Sequence, residues 1–284
     1  MAVSGHAKLP FLGALLLLGL GWALVVLVDG YGYRVPLTPA PDDMRFGVLW
    51  FELFSEGRVI ERVQWGLLGL ACLTALFARF SLSATNGDPA VATTALAGGL
   101  ALLLLEDSIN LRHVGAYLLL QRFDDGAIGA SVLRGGFELV YFGLLALMMI
   151  APLVVFARSR VLGRATRRWL FAAYAVYAFA GLFSVSRNLG ADGGLQGTFG
   201  AWLIDRLDLL SRPNWLDAKT AFSEHLSEND GANGSFGYLL VDHLVEESVE
   251  LIAAGLLASA IAMMAMDLRR NRRGDGRAIR RERI

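Results

Sequence analysis

The stretch DHLVEESVELIAAGLLASAIAMMAMD, residues 242–267, joins an acidic beginning to an apolar run. No charged residue follows Glu250 until Asp267, and a helix of about 20 mainly apolar residues can cross the hydrocarbon core of a bilayer. The polar residues gathered before the apolar run are Asp242, His243, Glu246, Glu247 and Glu250. The stretch therefore predicts a transmembrane helix whose first turns carry titratable groups.

The composition of the whole chain places it among membrane proteins. Of its 284 residues, 55% are hydrophobic and 18% are charged, and the mean hydropathy is +0.49. A soluble domain could not bury so much apolar surface. Six apolar runs approach the length of a span: 11–28, 60–80, 90–105, 137–156, 169–186 and 238–266. We therefore predict an all-α fold, a polytopic membrane helical bundle of about six transmembrane helices.

Arginine placement predicts the orientation of these spans. Five arginines lie in RSRVLGRATRR, residues 158–168, and eight more follow the last span. Loops rich in Lys and Arg remain on the cytoplasmic side. We therefore expect cytoplasmic N- and C-termini, a transmembrane domain over 1–268 with an outer loop at 187–237, and a basic cytoplasmic tail at 269–284.

The expected location is the cell inner (plasma) membrane of a bacterium, crossed several times, with the lipid bilayer as the main partner. The arginine-rich tail could contact anionic lipid, or it could serve only to set the orientation. In the outer loop, FGAWLIDRLDLL (residues 199–210) has apolar residues at helical spacing and predicts an interfacial helix.

A layer of charged residues is predicted near the outer end of every span. Measured from each cytoplasmic boundary at ~1.5 Å per residue, one charged residue recurs at about 26–31 Å. These residues are Asp29, Glu61, Glu106, Glu138, Arg187 and Glu250. Ionisable residues inside a membrane usually face the bundle interior or a water-filled cavity. We therefore predict an outer-face pocket, against the alternative that these residues are helix caps satisfied by water, lipid headgroups or arginines.

Helical spacing groups further polar residues with this layer. On an ideal α-helix, Glu246 and Glu250 share one side with Asp242. Gln64 is three residues from Glu61 and so adjacent to it on one face. The complete candidate cluster comprises Glu61, Glu106, Asp107, Asn110, His113, Glu138, Arg187, His243, Glu246, Glu247 and Glu250.

Three segments resemble a loose set of uncharacterised bacterial six-span integral membrane proteins. They are EGRVIERVQWGLL at 56–68, LLLLEDSINLRH at 102–113 and EESVELIAAGLL at 246–257. Those proteins pair an acidic doublet and a histidine after a central span with an acid-rich start to the last span. The polar positions implied by the resemblance are Glu106, Asp107 and His113, then Glu246, Glu247 and Glu250. Val114 stands where the resemblance implies another acid.

One class of function that fits this cluster is a metal-binding or hydrolytic membrane protein. Carboxylate and imidazole groups are ligands for divalent zinc, manganese or iron. The expected ligands are Glu106, His113, His243 and Glu246. Glu138 or Glu250 could then act as the base toward a metal-bound water. No HExxH motif and no ExxH pair of the di-iron type accompanies them.

Two other classes stay open. In a proton- or cation-coupled transporter the carboxylates would exchange ions, and Gly98-Gly99 is the candidate break in a span. In a structural or partner-binding subunit, small residues such as Gly255 and Ser259 would associate with another helix. Walker, dinucleotide-binding and GxSxG motifs are absent from the sequence, and we expect no nucleic-acid partner.

Overall fold

The computed structural model describes residues 3–33, 48–55, 57–80, 82, 87–109, 111–123, 130–158, 161–185, 194–228 and 235–281. In these residues every regular element is helical. The helices are α1 (Val3–His6), α2 (Leu9–Tyr31), α3 (Leu49–Phe54), α4 (Val59–Phe80), α5 (Gly87–Ile109), α6 (Leu111–Phe123), α7 (Ala130–Arg158), α8 (Arg164–Val185), α9 (Gly194–Arg206), α10 (Pro213–Glu228), α11 (Phe236–Leu240) and α12 (Glu247–Arg281). A 3-10 turn at Leu209–Ser211 precedes α10, and a π-helical segment at Val241–Glu246 joins α11 to α12.

Membrane-length helices are present, as the sequence predicts. In the part of the chain that the structure describes, four stretches are long and apolar enough to cross a membrane: Leu9–Tyr31, Leu49–Phe80, Asp88–Ile109 and Phe236–Asn271. Helix α7 adds a shorter apolar stretch, Gly143–Arg158. The all-helical class is therefore confirmed, and the described residues contain four helices that are long and apolar enough to cross a membrane, whereas about six were predicted.

The chain divides into two compact units. Unit 1 comprises Met1–Phe11, Trp65–Ala173 and Leu256–Ile284. Unit 2 comprises Leu12–Gln64 and Tyr174–Gly255. Helix α12 continues to Arg281, so its helical backbone extends through much of the predicted basic tail.

In unit 1, two glycines bring α5 close to α7. A Cβ atom added at Gly99 would lie 2.8 Å from the sulfur of Met149, closer than real Cβ atoms approach. Helix α5 itself runs without interruption from Gly87 to Ile109. The predicted break at Gly98-Gly99 is therefore wrong, because these glycines provide room for a neighbouring helix and leave the backbone of α5 helical.

Polar side chains of α12 stabilise the starts of two other helices in unit 1. The hydroxyl of Ser259 accepts a 3.0 Å hydrogen bond from the N–H of Phe11 in the first turn of α2. At the start of α8, Oδ2 of Asp267 accepts from the N–H of Gly163 at 2.9 Å and from the hydroxyl of Thr166 at 2.6 Å. The first N–H groups of a helix have no acceptor within that helix. Ser259 and Asp267 of α12 therefore supply hydrogen-bond acceptors at the starts of α2 and α8.

Aromatic side chains form much of the core of unit 2. Trp50 of α3 is fully buried and stacks on Trp215 of α10, with ring centroids 5.7 Å apart and an interplanar angle of 11°. The rings of Phe51 and Phe236 meet the same indole edge to face. Helix α3 lies outside the six apolar runs that the sequence predicts as spans.

Candidate functional site

The beginning of the last span departs from α-helical geometry. The π-helical segment Val241–Glu246 stands directly before α12. Because its hydrogen bonds join residues five apart, the residues on its two sides are rotated relative to their positions on a continuous α-helix. Asp242 and Glu246 lie within this segment, and Glu250 follows it on α12. Glu246 and Glu250 hydrogen-bond to two different helices of unit 2.

Glu246 is held by a glutamine of α9. The Nε2 of Gln196 donates a 3.0 Å hydrogen bond to Oε2 of Glu246, and both side chains are buried. A hydrogen bond to a charged group stabilises a structure by about 1.5–3 kcal/mol. Gln196 was not predicted from the sequence, because it lies in the predicted outer loop and no local pattern distinguishes it.

Two glycines allow α9 to approach closely enough for this bond. A Cβ atom at Gly200 would overlap the backbone carbonyl of Gly237 in α11. A Cβ atom at Gly237 would lie 2.6 Å from the backbone nitrogen of Ala201. Since backbone atoms cannot swing aside, α9 and α11 can pack this closely only with glycine at both positions.

Glu250 is held by a glutamine of α4. The Nε2 of Gln64, which is fully buried, donates to Oε2 of Glu250 at 2.9 Å. One turn earlier on α4, the buried carboxylate of Glu61 accepts a hydrogen bond from the N–H of Gly57, whose φ of 74° favours glycine. The structure thus shows the Gln64 face of the second span meeting an acid of the last one. We call Gln64, Gln196, Glu246 and Glu250 the carboxylate–amide cluster.

Two further contacts hold the same part of the last span in unit 2. The indole N–H of Trp22 in α2 donates to the hydroxyl of Ser248 at 3.0 Å. The imidazole of His243 meets the ring of Phe51 edge to face, with centroids 5.5 Å apart. Glu247, beside them, is buried. Side chains from α2, α3, α4 and α9 therefore all contact the segment that the sequence predicted to carry the site.

Asp29, a member of the predicted charged layer, has a structural role. Its Oδ1 accepts a 2.8 Å hydrogen bond from the N–H of Leu49, and its Oδ2 accepts a 2.9 Å bond from the N–H of Trp50. These are the first residues of α3, whose own N-cap residue, Val48, has no side-chain acceptor. The carboxylate of Asp29 therefore caps α3 from another helix.

The remaining predicted residues are placed as follows. Glu106 and Asp107 are half-buried near the end of α5 in unit 1. His113 and Glu138 lie in α6 and α7, but their side chains fall outside the described part of the chain. Asn110 and Arg187 are outside the described residues. Of the predicted residues, Glu246 and Glu250 hydrogen-bond to Gln196 and Gln64, and Glu61 hydrogen-bonds to the N–H of Gly57.

The predicted metal ligands are described only in part, because the side chain of His113 lies outside the described residues. Nowhere in the described ranges do three His, Cys, Asp or Glu side chains come together in a way that could hold a metal ion. Glu246 presents Oε2 to an amide N–H, and the ring of His243 packs against an aromatic side chain.

Glutamine is a suitable partner for a carboxyl group that changes its protonation state. Its NH₂ group donates to an ionised carboxylate, and after a half-turn its carbonyl oxygen can accept the proton of a neutral carboxyl. Arginine and lysine have donors only and could not do both. Each glutamate of the carboxylate–amide cluster can therefore remain hydrogen-bonded to its glutamine in either state.

Comparison of the chain with protein-family models, with curated proteins and with solved structures gives no match, so the chemistry of its own residues must indicate what the site does.

Proposed function

We propose that the chain is a six-span protein of the bacterial inner membrane, with both termini in the cytoplasm, in which the carboxylate–amide cluster binds and releases a proton as another solute crosses the membrane. The observation that carries this proposal is the pairing of two glutamates with two glutamines from separate helices. Carboxylates inside a membrane are costly, and proton relays are a common reason for their presence.

The irregular backbone beside these glutamates supports the same proposal. Transporters commonly bind ions and substrates where a membrane helix is interrupted, and π-helical turns are frequent at functional sites. The segment Val241–Glu246 is a π-helical turn within a membrane-length stretch, and Glu246 is its last residue.

Helices α7 and α8 support the count of six spans. They contain 29 and 22 residues, and a span needs about 20 at 1.5 Å per residue. The arginines at 158–168 between them favour a cytoplasmic position for this connection. The tail at 269–284 favours the same side, and its arginines could contact anionic lipid there.

The proposal is tested by infrared difference spectroscopy of the protein in lipid films taken through a pH titration. The carbonyl band of protonated carboxyl groups should grow as the pH falls. Glu246→Gln and Glu250→Gln should each remove part of this carbonyl band. Asp217→Asn, a change at an exposed residue of α10, should leave the part of the band that comes from the carboxylate–amide cluster unchanged. A band that neither glutamate variant alters would refute proton binding by the cluster.

Coupling to a solute is tested in proteoliposomes under an imposed pH gradient. A carried solute should collapse the gradient in wild-type vesicles and in vesicles with Asp217→Asn, and the two glutamate variants should slow the collapse. If wild-type protein binds protons but no member of a broad solute library collapses the gradient, the cluster titrates without driving transport.

The metal-dependent hydrolytic alternative rests on the predicted ligands and has a separate test. If that alternative is correct, metal analysis of the purified protein should find stoichiometric zinc, manganese or iron. The Glu246→Gln variant should then lack the metal. The partner-binding alternative has less support, because Ser259 is fully buried and bonds to Phe11 of the same chain.

A further inference from the structure

Helix α9 presents three different faces. Its buried face carries Gln196 and Gly200, which contact the last span and α11. A second face carries exposed apolar side chains, and it includes Phe199 and Trp202, whose rings stack with centroids 5.6 Å apart. The third face borders a cavity. A helix with an exposed aromatic face in a membrane protein is typical of the lipid–water interface.

The cavity lies within unit 2 and has a volume of about 350 Å³. Its charged lining comes from Asp205 and Asp208, at and just beyond the end of α9, and from Lys219 of α10. Its apolar lining is Ala201, Ile204, Leu210 and Phe236. This volume is at the lower end of the range for small-molecule sites, and the mixture of apolar walls with a few charged groups is typical of them.

The charged groups of the cavity are not neutralised by one another. The ion pair found among the described residues joins Arg58 to Glu52, and neither residue lines the cavity. Asp205, Asp208 and Lys219 make no ion pair within the part of the chain that the structure describes. Both carboxylates and the ammonium group therefore remain available to a ligand.

We propose that this cavity binds a zwitterionic group that carries a primary ammonium and a phosphate. The ammonium would donate to the carboxylates of Asp205 and Asp208, and the ammonium group of Lys219 would bind the phosphate. This chemistry belongs both to the headgroup of phosphatidylethanolamine and to soluble phosphoethanolamine esters. The exposed aromatic face of the same helix favours the lipid. The proposal does not depend on proton binding by the carboxylate–amide cluster.

The test measures binding to the full-length protein in detergent by native mass spectrometry and calorimetry. The three probes are short-chain phosphatidylethanolamine, the matching phosphatidylcholine and glycerophosphoethanolamine. Phosphatidylcholine has the same phosphate, but its quaternary ammonium has no N–H to donate. We expect the wild-type protein to bind phosphatidylethanolamine about tenfold more tightly than phosphatidylcholine.

The variants separate the two ends of the ligand. Asp205→Asn combined with Asp208→Asn should abolish the preference for the primary ammonium. Lys219→Met should weaken binding of both lipids, and Asp217→Asn on the same helix should change neither. Because all four positions are exposed or line an open cavity, the variants should unfold at the wild-type temperature.

The soluble probe identifies the source of the group. Binding of glycerophosphoethanolamine with the same dependence on the variants would indicate a soluble ligand, and binding of the lipid alone would indicate a headgroup site. Equal affinity for the two lipids in wild-type protein, or binding that none of the variants changes, would overturn the proposal.

Discussion

Replacing Gln196 and Glu246 by leucine, singly and together, should reveal a coupling free energy of about 1.5–3 kcal/mol when Glu246 is ionised. The magnitude follows from a 3.0 Å hydrogen bond between two buried side chains, one of them a carboxylate. Either single change leaves one buried polar group without this partner. The double change removes both polar groups and should cost less than the sum of the single changes.

The coupling is measured by reversible unfolding in mixed detergent micelles with increasing dodecyl sulfate, for the wild type, the two single variants and the double variant. At a pH low enough to protonate Glu246, the bond becomes one between neutral groups, and the coupling should fall to about 0.5–1.5 kcal/mol. A matched control is the exposed pair Gln121 and Tyr117, joined by a 2.6 Å hydrogen bond. Water can replace that bond, so its cycle should give less than about 0.5 kcal/mol. A buried pair that couples no more strongly than the exposed pair would refute the reasoning.

Three further predictions concern topology and packing. In a variant that lacks the native Cys72, single cysteines within 158–168 should be protected from an impermeant thiol reagent in intact cells, and single cysteines within 190–235 should react. The reverse pattern would overturn the predicted orientation. Gly200→Ala should destabilise the protein by about 1–3 kcal/mol, because the added Cβ atom would overlap the backbone of α11. In the same unfolding assay Gly143→Ala should be neutral or stabilising, because a Cβ atom there has no neighbouring atom within 4 Å. Asp29→Ala should cost about 0.5–2 kcal/mol by removing the cap of α3, and an unchanged stability would show that the cap contributes nothing.

The membrane helices were predictable because their signal is local. An apolar run of span length identifies itself, and α2 and α4 begin and end within a few residues of the predicted 11–28 and 60–80. The adjacency of Glu61 and Gln64 was also predictable, since it depends only on helical spacing. Which residue of another helix Gln64 would meet was not predictable from spacing alone.

The site depends on features that single-sequence periodicity does not register. A π-helical segment leaves no distinct pattern of apolar residues, so Val241–Glu246 looked like an ordinary helix start. Gln196 is important only because Gly200 lets two distant segments approach, and long-range packing of this kind has no local signature. Gly98-Gly99 was predicted as a break in a span, but α5 is continuous there and α7 packs against the two glycines. A glycine pair looks the same in the sequence in both cases.

The contacts made by α12 have a consequence for biosynthesis. The hydroxyl that bonds the first turn of α2 and the carboxylate that bonds the start of α8 both belong to α12, which the ribosome synthesises after those two helices. Until Ser259 and Asp267 have been synthesised, the N–H groups of Phe11 and Gly163 must find other hydrogen-bond acceptors. Unit 1 can therefore reach its final hydrogen bonding only after translation of α12, and nascent chains that end before residue 259 lack both acceptors.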